Sequence, residues 1–318
     1  MPEWLIERGI GETRAALVEN GEIIEARISR EGATPAGTIL RARLTDVGTN
    51  GRNAVAKDEH GTEYLLSRGA AGETEGATIA IEVTREAVPG GEAWKRPLAK
   101  LASEEPRDAL APHGRDLPFP SPVDVLAEAG WLELLDEARA GVVRFVGGEL
   151  RISSTPAMTL IDVDGYLSPH ELSVKGALEA ARAIRRLDIG GSIGIDLPTV
   201  GSKIGRQDAA AAVDAALPRP FERTAVNGFG FIQIIRPRMR PSLIELAQDC
   251  AAFEARALLR RFAFEPAGTR GLVAHPAVIK VLEFHDAWIK RLARQLGGEV
   301  ELRADAALPM SGGYAERP

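Results

Sequence analysis

Three aspartates carry the chemistry for which this sequence is best equipped. The stretch AMTLIDVDGY (157–166) climbs through an apolar run and ends on Asp162 and Asp164. A second apolar run, SIGIDLP (192–198), ends on Asp196. Between them lies HELSVKGALEAARAIRRL (170–187), with Leu172, Leu178, Ala181 and Ile184 near helical spacing. Strand, helix, strand is a crossover, which sets two parallel strands in one sheet by a right-handed connection. Asp162 and Asp196 then emerge together at the carboxyl end of the sheet, where open α/β folds place their sites. Asp164 falls one pleat further along, on the face of Asp162. Carboxylates gathered at one edge repel each other unless a cation lies between them. Mg²⁺ suits the position: it takes hard oxygen ligands, one or two carboxylates among them, and fills its shell from water and phosphate. That donor set predicts phosphodiester hydrolysis, in which the metal activates a water and neutralises charge developing on the phosphate. The competing reading is a polar turn, because aspartate after a buried strand is ordinary loop chemistry.

Cations follow the same strands. IIRPRMRPS (234–242) puts Arg236, Arg238 and Arg240 at alternate positions, which share one face in extended chain. Three guanidiniums on one face suit a phosphate backbone, although a charged edge strand that resists aggregation has the same pattern. Lys203 and Arg206, after the Asp196 strand, add positive charge near the same edge.

These residues need elements to hold them. Residues 1–85 are β-rich: TRAALVENGEIIEARI (13–28) predicts two strands around an Asn-Gly turn. Short strands between glycine turns continue over 36–87, ending in ATIAIEVTREA, and suit an oligonucleotide-binding-type barrel. The stretch 88–122 holds seven prolines and reads as a connector. A helix over 123–138, capped by Asp124 or Ser121, opens the most regular region. A hairpin turns at Gly147-Gly148, and the strand-helix-strand crossover, a helix over 207–217 and strands FERTAVN and FGFIQIIRP follow. Residues 244–318 predict helices over 243–262 and 276–297 with strands at 271–276 and 299–305, a small α/β domain. The fold class is therefore α/β and multidomain, with divisions at 1–35, 36–87, 88–122, 123–243 and 244–318.

Composition narrows the setting. With 318 residues, 45% hydrophobic and 26% charged, the chain has a globular composition and room for more than one core. A net charge of −6 excludes a globally basic nucleic-acid binder but not a local basic groove. One cysteine, Cys250, allows neither a disulfide within the chain nor a zinc site of the CxxC kind. The charged start MPEWLIERGIGE is no signal peptide, and no run approaches the ~20 apolar residues of a membrane span. A cytoplasmic protein with no membrane partner is the expectation.

At the aspartates the chain resembles the ribonuclease E/G family of bacterial endoribonucleases. TLIDVDG resembles the family's first aspartate motif, LDIGGSIGIDLPT its second, and VNGFGFIQIIRPRMRPSL the strand and Arg-x-Arg…Pro-Ser-Leu run that follow. TRAALVENGEIIEARI is similar to the family's opening hairpin, and TRGLVAHPAVIKVL and GGYAE to pieces of its small C-terminal domain. The resemblance implies a DNase I-like catalytic subdomain, an oligonucleotide-binding barrel and, in 1–35, a reduced RNase H-like part. It implies cleavage of single-stranded RNA to 5′-phosphate products, with Asp162 and Asp196 on Mg²⁺ (or Mn²⁺). Asp164 stands where the family has an orienting asparagine, and Phe229, Lys203, Arg206, Arg236, Arg238 and Arg240 contact RNA. There are departures. The stretch 88–122 leaves no room for the family's 5′-monophosphate pocket. Cys250 alone cannot build its zinc link, so no zinc is expected and a homodimer needs another interface. Val55 and Leu65 replace the barrel's stacking aromatics, with Tyr64 a substitute, and Gly228 replaces an arginine. Two rivals remain: a catalytically inactive RNA- or ribosome-binding protein on the same fold, and a phosphodiesterase for small molecules.

Overall fold

The computed structural model describes residues 1–48, 52–89, 95–268 and 271–316. The glycine turn at 49–51 and the middle of the proline-rich stretch, 90–94, lie outside the described residues. Three strands open the chain: β1 (Glu3–Arg8), β2 (Glu12–Glu19) and β3 (Glu22–Arg30). β2 and β3 meet at the Asn-Gly turn read from the sequence. Asn20 has φ 53° and Gly21 φ 84°, the two left-handed residues that a tight hairpin of this hand requires.

Five strands then close a barrel: β4 (Ile39–Asp46), β5 (Ala54–Lys57), β6 (Glu63–Leu66), β7 (Thr78–Arg85) and β8 (Leu98–Leu101), in the order β4-β5-β6-β8-β7. β6 and β8 run parallel and the other pairs antiparallel. Alternation turns Leu44, Ala56, Tyr64, Leu66, Ile81 and Ala99 into the barrel core. The sequence ended the barrel at 87. The strand that closes it, β8, comes from inside the predicted connector, and its LAKL buries only Ala99, too little pattern to read. β9 (Arg115–Leu117), also from that stretch, joins β1 in parallel.

The central region follows. α1 (Val125–Glu128) and α2 (Trp131–Ala140) replace the single predicted helix. Asp124 caps α1 by accepting from Ala127 N at 2.9 Å, and Gly130, at φ 98°, breaks the run. Then come β10 (Val142–Phe145), β11 (Gly148–Ser154), β12 (Thr159–Gly165), α3 (Pro169–Arg186), β13 (Gly191–Asp196), α4 (Lys203–Ala216), β14 (Glu222–Arg223) and β15 (Phe231–Arg236). The sheet order is β10-β11-β12-β13-β15-β14, with only β12 and β13 parallel. Ile161 and Val163 turn to the face covered by α3, which packs on β11 and β12 with α4 beside it. Gly176 makes that packing close: a Cβ there would lie 2.3 Å from Val163 Cγ1.

The last part holds α5 (Leu243–Gln248), α6 (Cys250–Ala263), β16 (Gly271–Ala274), α7 (Pro276–Phe284), α8 (Asp286–Leu296), β17 (Glu301–Ala304) and β18 (Tyr314–Glu316). Each predicted long helix is two helices, broken at Asp249, whose carboxylate caps α6, and at His285. The sheet order is β17-β16-β18.

The chain divides into two compact units, Met1–Glu31 with His113–Arg139 and Leu246–Pro318, and Gly32–Pro112 with Ala140–Glu245. The first strands and the last seventy-odd residues thus share a unit, where the sequence reading kept them apart. Its core gathers Ile10, Phe262, Leu272, Val278, Trp288 and Leu292. Arg260, buried, donates to Glu7 at 2.9 Å and to Asp124 at 2.8 Å, and Arg14 donates to Glu7 at 2.7 Å. The second unit holds the barrel and the six-stranded sheet together.

Candidate active site

Asp162 and Asp196 are direct partners in the parallel register of β12 and β13. Neighbouring strands lie about 4.8 Å apart, so the two carboxylates start side by side. Period-two alternation explains which way they face. Ile161 and Val163 are buried beneath α3, so Leu160, Asp162 and Asp164 rise from the other face of β12, which is exposed. Asp196 is exposed as well, while Ile193 and Ile195 before it are buried. Asp164 accepts from the next backbone N–H, Gly165 N, at 2.8 Å. Neither Asp162 nor Asp196 has an ion-pair partner among the described residues.

The crossover is held at both ends. Ser168 caps α3 in a capping box with Glu171, and Pro169 starts the first turn. The Ser168 hydroxyl on Glu171 holds that carboxyl below its ordinary range. Ser202 caps α4 by accepting from Gly205 N at 3.0 Å. His170, on the first turn of α3, has Nε2 3.1 Å from Asp208 Oδ2 of α4, so it ties the two helices.

The cations divide into two groups. Arg236, Arg238 and Arg240 do not form a free basic face. Arg236 donates to Ile189 O at 2.9 Å and to Asp188 at 3.3 Å, and Arg240 to Asp188 at 2.9 Å. Arg238 is paired with Glu245, which also accepts from Ser242 N at 2.9 Å. Their side chains are only 17–20% exposed. Glu86 N, just past β7 of the barrel, donates to Met239 O at 2.8 Å, so this network fastens the barrel to the six-stranded sheet. β15 ends at Arg236, and the chain beyond is not the extended strand that alternation presupposed. Arg206 donates to the carbonyls of Val200 and Gly201 at 3.0 and 3.1 Å and braces the loop after Asp196. Lys203 is exposed at the start of α4.

The cations beside the aspartates are ones the sequence reading did not single out. Arg151 of β11 is the register partner of Asp162, and Glu149 that of Asp164. Arg151 is 63% exposed and paired with Glu149 at 2.6 Å, with Arg144 3.9 Å from the same carboxylate. The signal for Arg151 was present in ELRISS, but only the antiparallel register tells which strand lies against Asp162.

Aromatic placement also differs from expectation. Tyr64 is fully buried in the barrel, its hydroxyl 2.8 Å from Thr34 Oγ1 and donating to Asp58 at 2.9 Å. Burial and the Asp58 charge push its pKa up to about 12. It is no stacking platform, and Val55 and Leu65 remain the half-exposed residues of that face. Phe229, in contrast, is 83% exposed in the turn between β14 and β15. Phe231, which follows it, is the register partner of Asp196. The barrel's open groove, about 610 Å³, is lined by Arg43, Thr45, Lys57, Asp58 and Glu75 among others.

Two adjacent exposed carboxylates without a protein cation fit Mg²⁺ or Mn²⁺, which accept such a sparse protein shell and complete it with water and phosphate oxygens. No group of three or more His, Cys, Asp or Glu among the described residues could hold a metal, so Asp162 and Asp196 alone would provide the protein's side of it. Cys250 is free and exposed.

Comparison with known proteins finds a likeness over a limited stretch. The chain is 28% identical over 127 residues to Ribonuclease G of Escherichia coli (strain K12), covering 36% of this chain and 26% of that protein. Ribonuclease G of Shigella flexneri matches to the same extent. No family model matches the chain. The aligned part is thus about a quarter of the relatives' length. No helix among the described residues is long and apolar enough to cross a membrane.

Proposed function

We propose that this chain is an endoribonuclease that hydrolyses phosphodiester bonds of single-stranded RNA and leaves 5′-phosphates on its products. The observation that carries the reading is the register pairing of Asp162 with Asp196 on an exposed sheet face. The distant likeness to Ribonuclease G supports it. Asp162 and Asp196 would hold Mg²⁺ (Mn²⁺ in its place), with Asp164 beside them. When bound, the metal supplies a polarised water and charge neutralisation at the phosphate. The chain's own contribution is placement. β12 and β13 hold the two carboxylates at fixed spacing, and Arg151 and Lys203 provide cations for the RNA backbone, with Arg206 keeping the Val200–Gly201 carbonyls in place. We assign Arg236, Arg238 and Arg240 to fastening the barrel, not to RNA. The six-stranded sheet with α3 and α4 then corresponds to a DNase I-like subdomain and the barrel to an RNA clamp.

The test is Asp196→Asn. Its side chain is exposed, so the fold survives, and Mg²⁺-dependent cleavage of a fluorescent single-stranded oligomer should fall by more than about 100-fold, beyond the range for a residue that only supports a metal ligand. Undiminished cleavage would sink the reading. A second reading, an RNA-binding protein without turnover, is favoured by one observation: Asp164 is exposed on the same face as Asp162 and adds negative charge that disfavours approach of a phosphate. It predicts RNA binding that EDTA leaves unchanged and no cleavage with or without metal.

A further inference from the structure

The end of the sheet at which the aspartate-bearing strands finish carries two aromatics that the fold spends structure to display. Tyr166 and Phe229 are each 83% exposed. A large aromatic left in water gives up the burial that is its main contribution to stability. Trp131, Phe262 and Trp288 take that burial, being at most 2% exposed, and among the described residues only Phe284 is as open as these two rings.

Phe229 stands on a rigid turn. The Asn227 side-chain oxygen accepts from Phe229 N at 2.9 Å and from Phe231 N at 3.0 Å. Thr199 donates its hydroxyl to Phe229 O at 3.0 Å. Gly230 is at φ 96°, and a Cβ there would lie 2.1 Å from Leu197 O, so the turn is pressed against the loop that follows Asp196. Nothing in this bracing buries the phenyl ring.

Tyr166 is anchored on the other side. Its N–H donates to Gly147 O at 3.1 Å, in the turn between β10 and β11. Gly148 and Gly165 let the two segments touch; a Cβ on Gly165 would lie 2.3 Å from Gly147 O. The backbone at Tyr166 is fixed while its ring faces solvent.

The placement relative to the aspartates follows from the sheet. Tyr166 lies beyond the carboxyl end of β12, four residues after Asp162. Phe229 lies two residues before Phe231, the partner of Asp196, in the turn that leads into β15. β15 runs antiparallel to β13, so both residues lie beyond the same end of the sheet, the carboxyl end of β12 and β13. β13 lies between β12 and β15, which sets their strands about 10 Å apart. A phosphate at Asp162 and Asp196 would have an exposed ring to either side.

Resting on the nuclease reading above, the geometry points to Tyr166 and Phe229 as two stacking platforms for unpaired bases flanking the phosphate at Asp162 and Asp196. Every base has a π-face, so such platforms grip single strands with little sequence preference and reject duplexes, whose bases stack on each other. They supply base stacking where Val55 and Leu65, the half-exposed residues of the barrel face, offer no ring and Tyr64 is buried.

The test measures binding separately from cleavage. Affinity for a single-stranded oligomer with 2-aminopurine at successive positions is measured by fluorescence in EDTA, where no metal-dependent cleavage occurs. Tyr166→Ala and Phe229→Ala should each weaken binding by roughly 5- to 100-fold and remove quenching at one position. Phe229→Trp and Tyr166→Phe should restore both. Phe284→Ala, which removes another exposed ring, should change nothing. An oligomer abasic at the quenched positions should bind the parent chain as weakly as the variants bind the intact oligomer. Alanine variants that bind like the parent, or weaken abasic and intact oligomers equally, overturn the inference and leave the nuclease reading standing. Loss of stacking in a chain that shows no metal-dependent cleavage upholds the platforms and removes the nuclease.

Discussion

Asp162 and Asp196 illustrate what one register can do. Their adjacency costs repulsion, and no cation among the described residues pairs with either carboxylate. Arg151 stands opposite Asp162 yet is paired with Glu149. That arrangement leaves Arg151 exposed enough to turn toward a phosphate. Arg151→Ala should weaken RNA binding by a similar factor for all sequences and lower the slope of log affinity against log salt by about 1, as expected for one backbone contact. A slope unchanged in a salt titration would remove Arg151 from the interface. Tyr64 makes the opposite residue-scale point. In the unfolded chain its hydroxyl titrates near 10, whereas in the barrel it is pushed up to about 12. The fold therefore binds that proton more tightly. Its stabilising contribution is complete below pH ~10 and is lost as pH rises toward about 12. Tyr64→Phe should abolish that alkaline loss in urea melts. It should also cost about 1 kcal/mol at neutral pH through the missing hydrogen bonds to Thr34 and Asp58, without altering RNA affinity.

At the scale of elements, α3 decides where β12 lies. Its Gly176 lets the helix sit directly on Val163, the residue between the two aspartates of β12. Gly176→Val would force the helix outward, at a cost of about 1–3 kcal/mol for overpacking. A lower thermal midpoint together with reduced metal-dependent cleavage is expected. A stable, fully active variant would mean that α3 does not fix the strand. The α3 helix was legible from apolar spacing over 170–187, and the structure fixes its start by a capping box at Ser168 and Glu171 with Pro169 in the first turn. The paired helices near the C-terminus were not legible. Asp249 and His285 interrupt apolar patterns that continue across them, and periodicity alone does not register a change of axis.

At the scale of the molecule, the arginines after β15 serve cohesion. Asp188, in the left-handed region at φ 52°, accepts from both Arg236 and Arg240, and Glu245 holds Arg238. Asp188→Ala would take the carboxylate from the mostly buried Arg236 and leave Arg240 only the more distant Glu86, at 3.9 Å. The expected loss is about 2–3 kcal/mol by chemical denaturation, below a fully buried pair because some solvent reaches these groups. RNA affinity, measured where the variant is folded, should change far less than stability. A large affinity loss with unchanged stability would return these arginines to the RNA interface.

Local pattern determined much of this protein: the Asn-Gly hairpin, most barrel strands, the crossover and the adjacency of Asp162 with Asp196. Alternation and helical spacing are properties of neighbours in the chain, so they survive in the sequence. Tertiary structure alone decided which strand closes the barrel, that the first strands share a unit with the last helices, and which cations stay exposed. Arg151 and Arg238 are the same residue type. Each pairs with a glutamate close in the chain, Glu149 or Glu245, yet Arg151 is 63% exposed on an open sheet face and Arg238 only 20%. That difference in burial is settled by what packs around each across space, and composition carries no record of it.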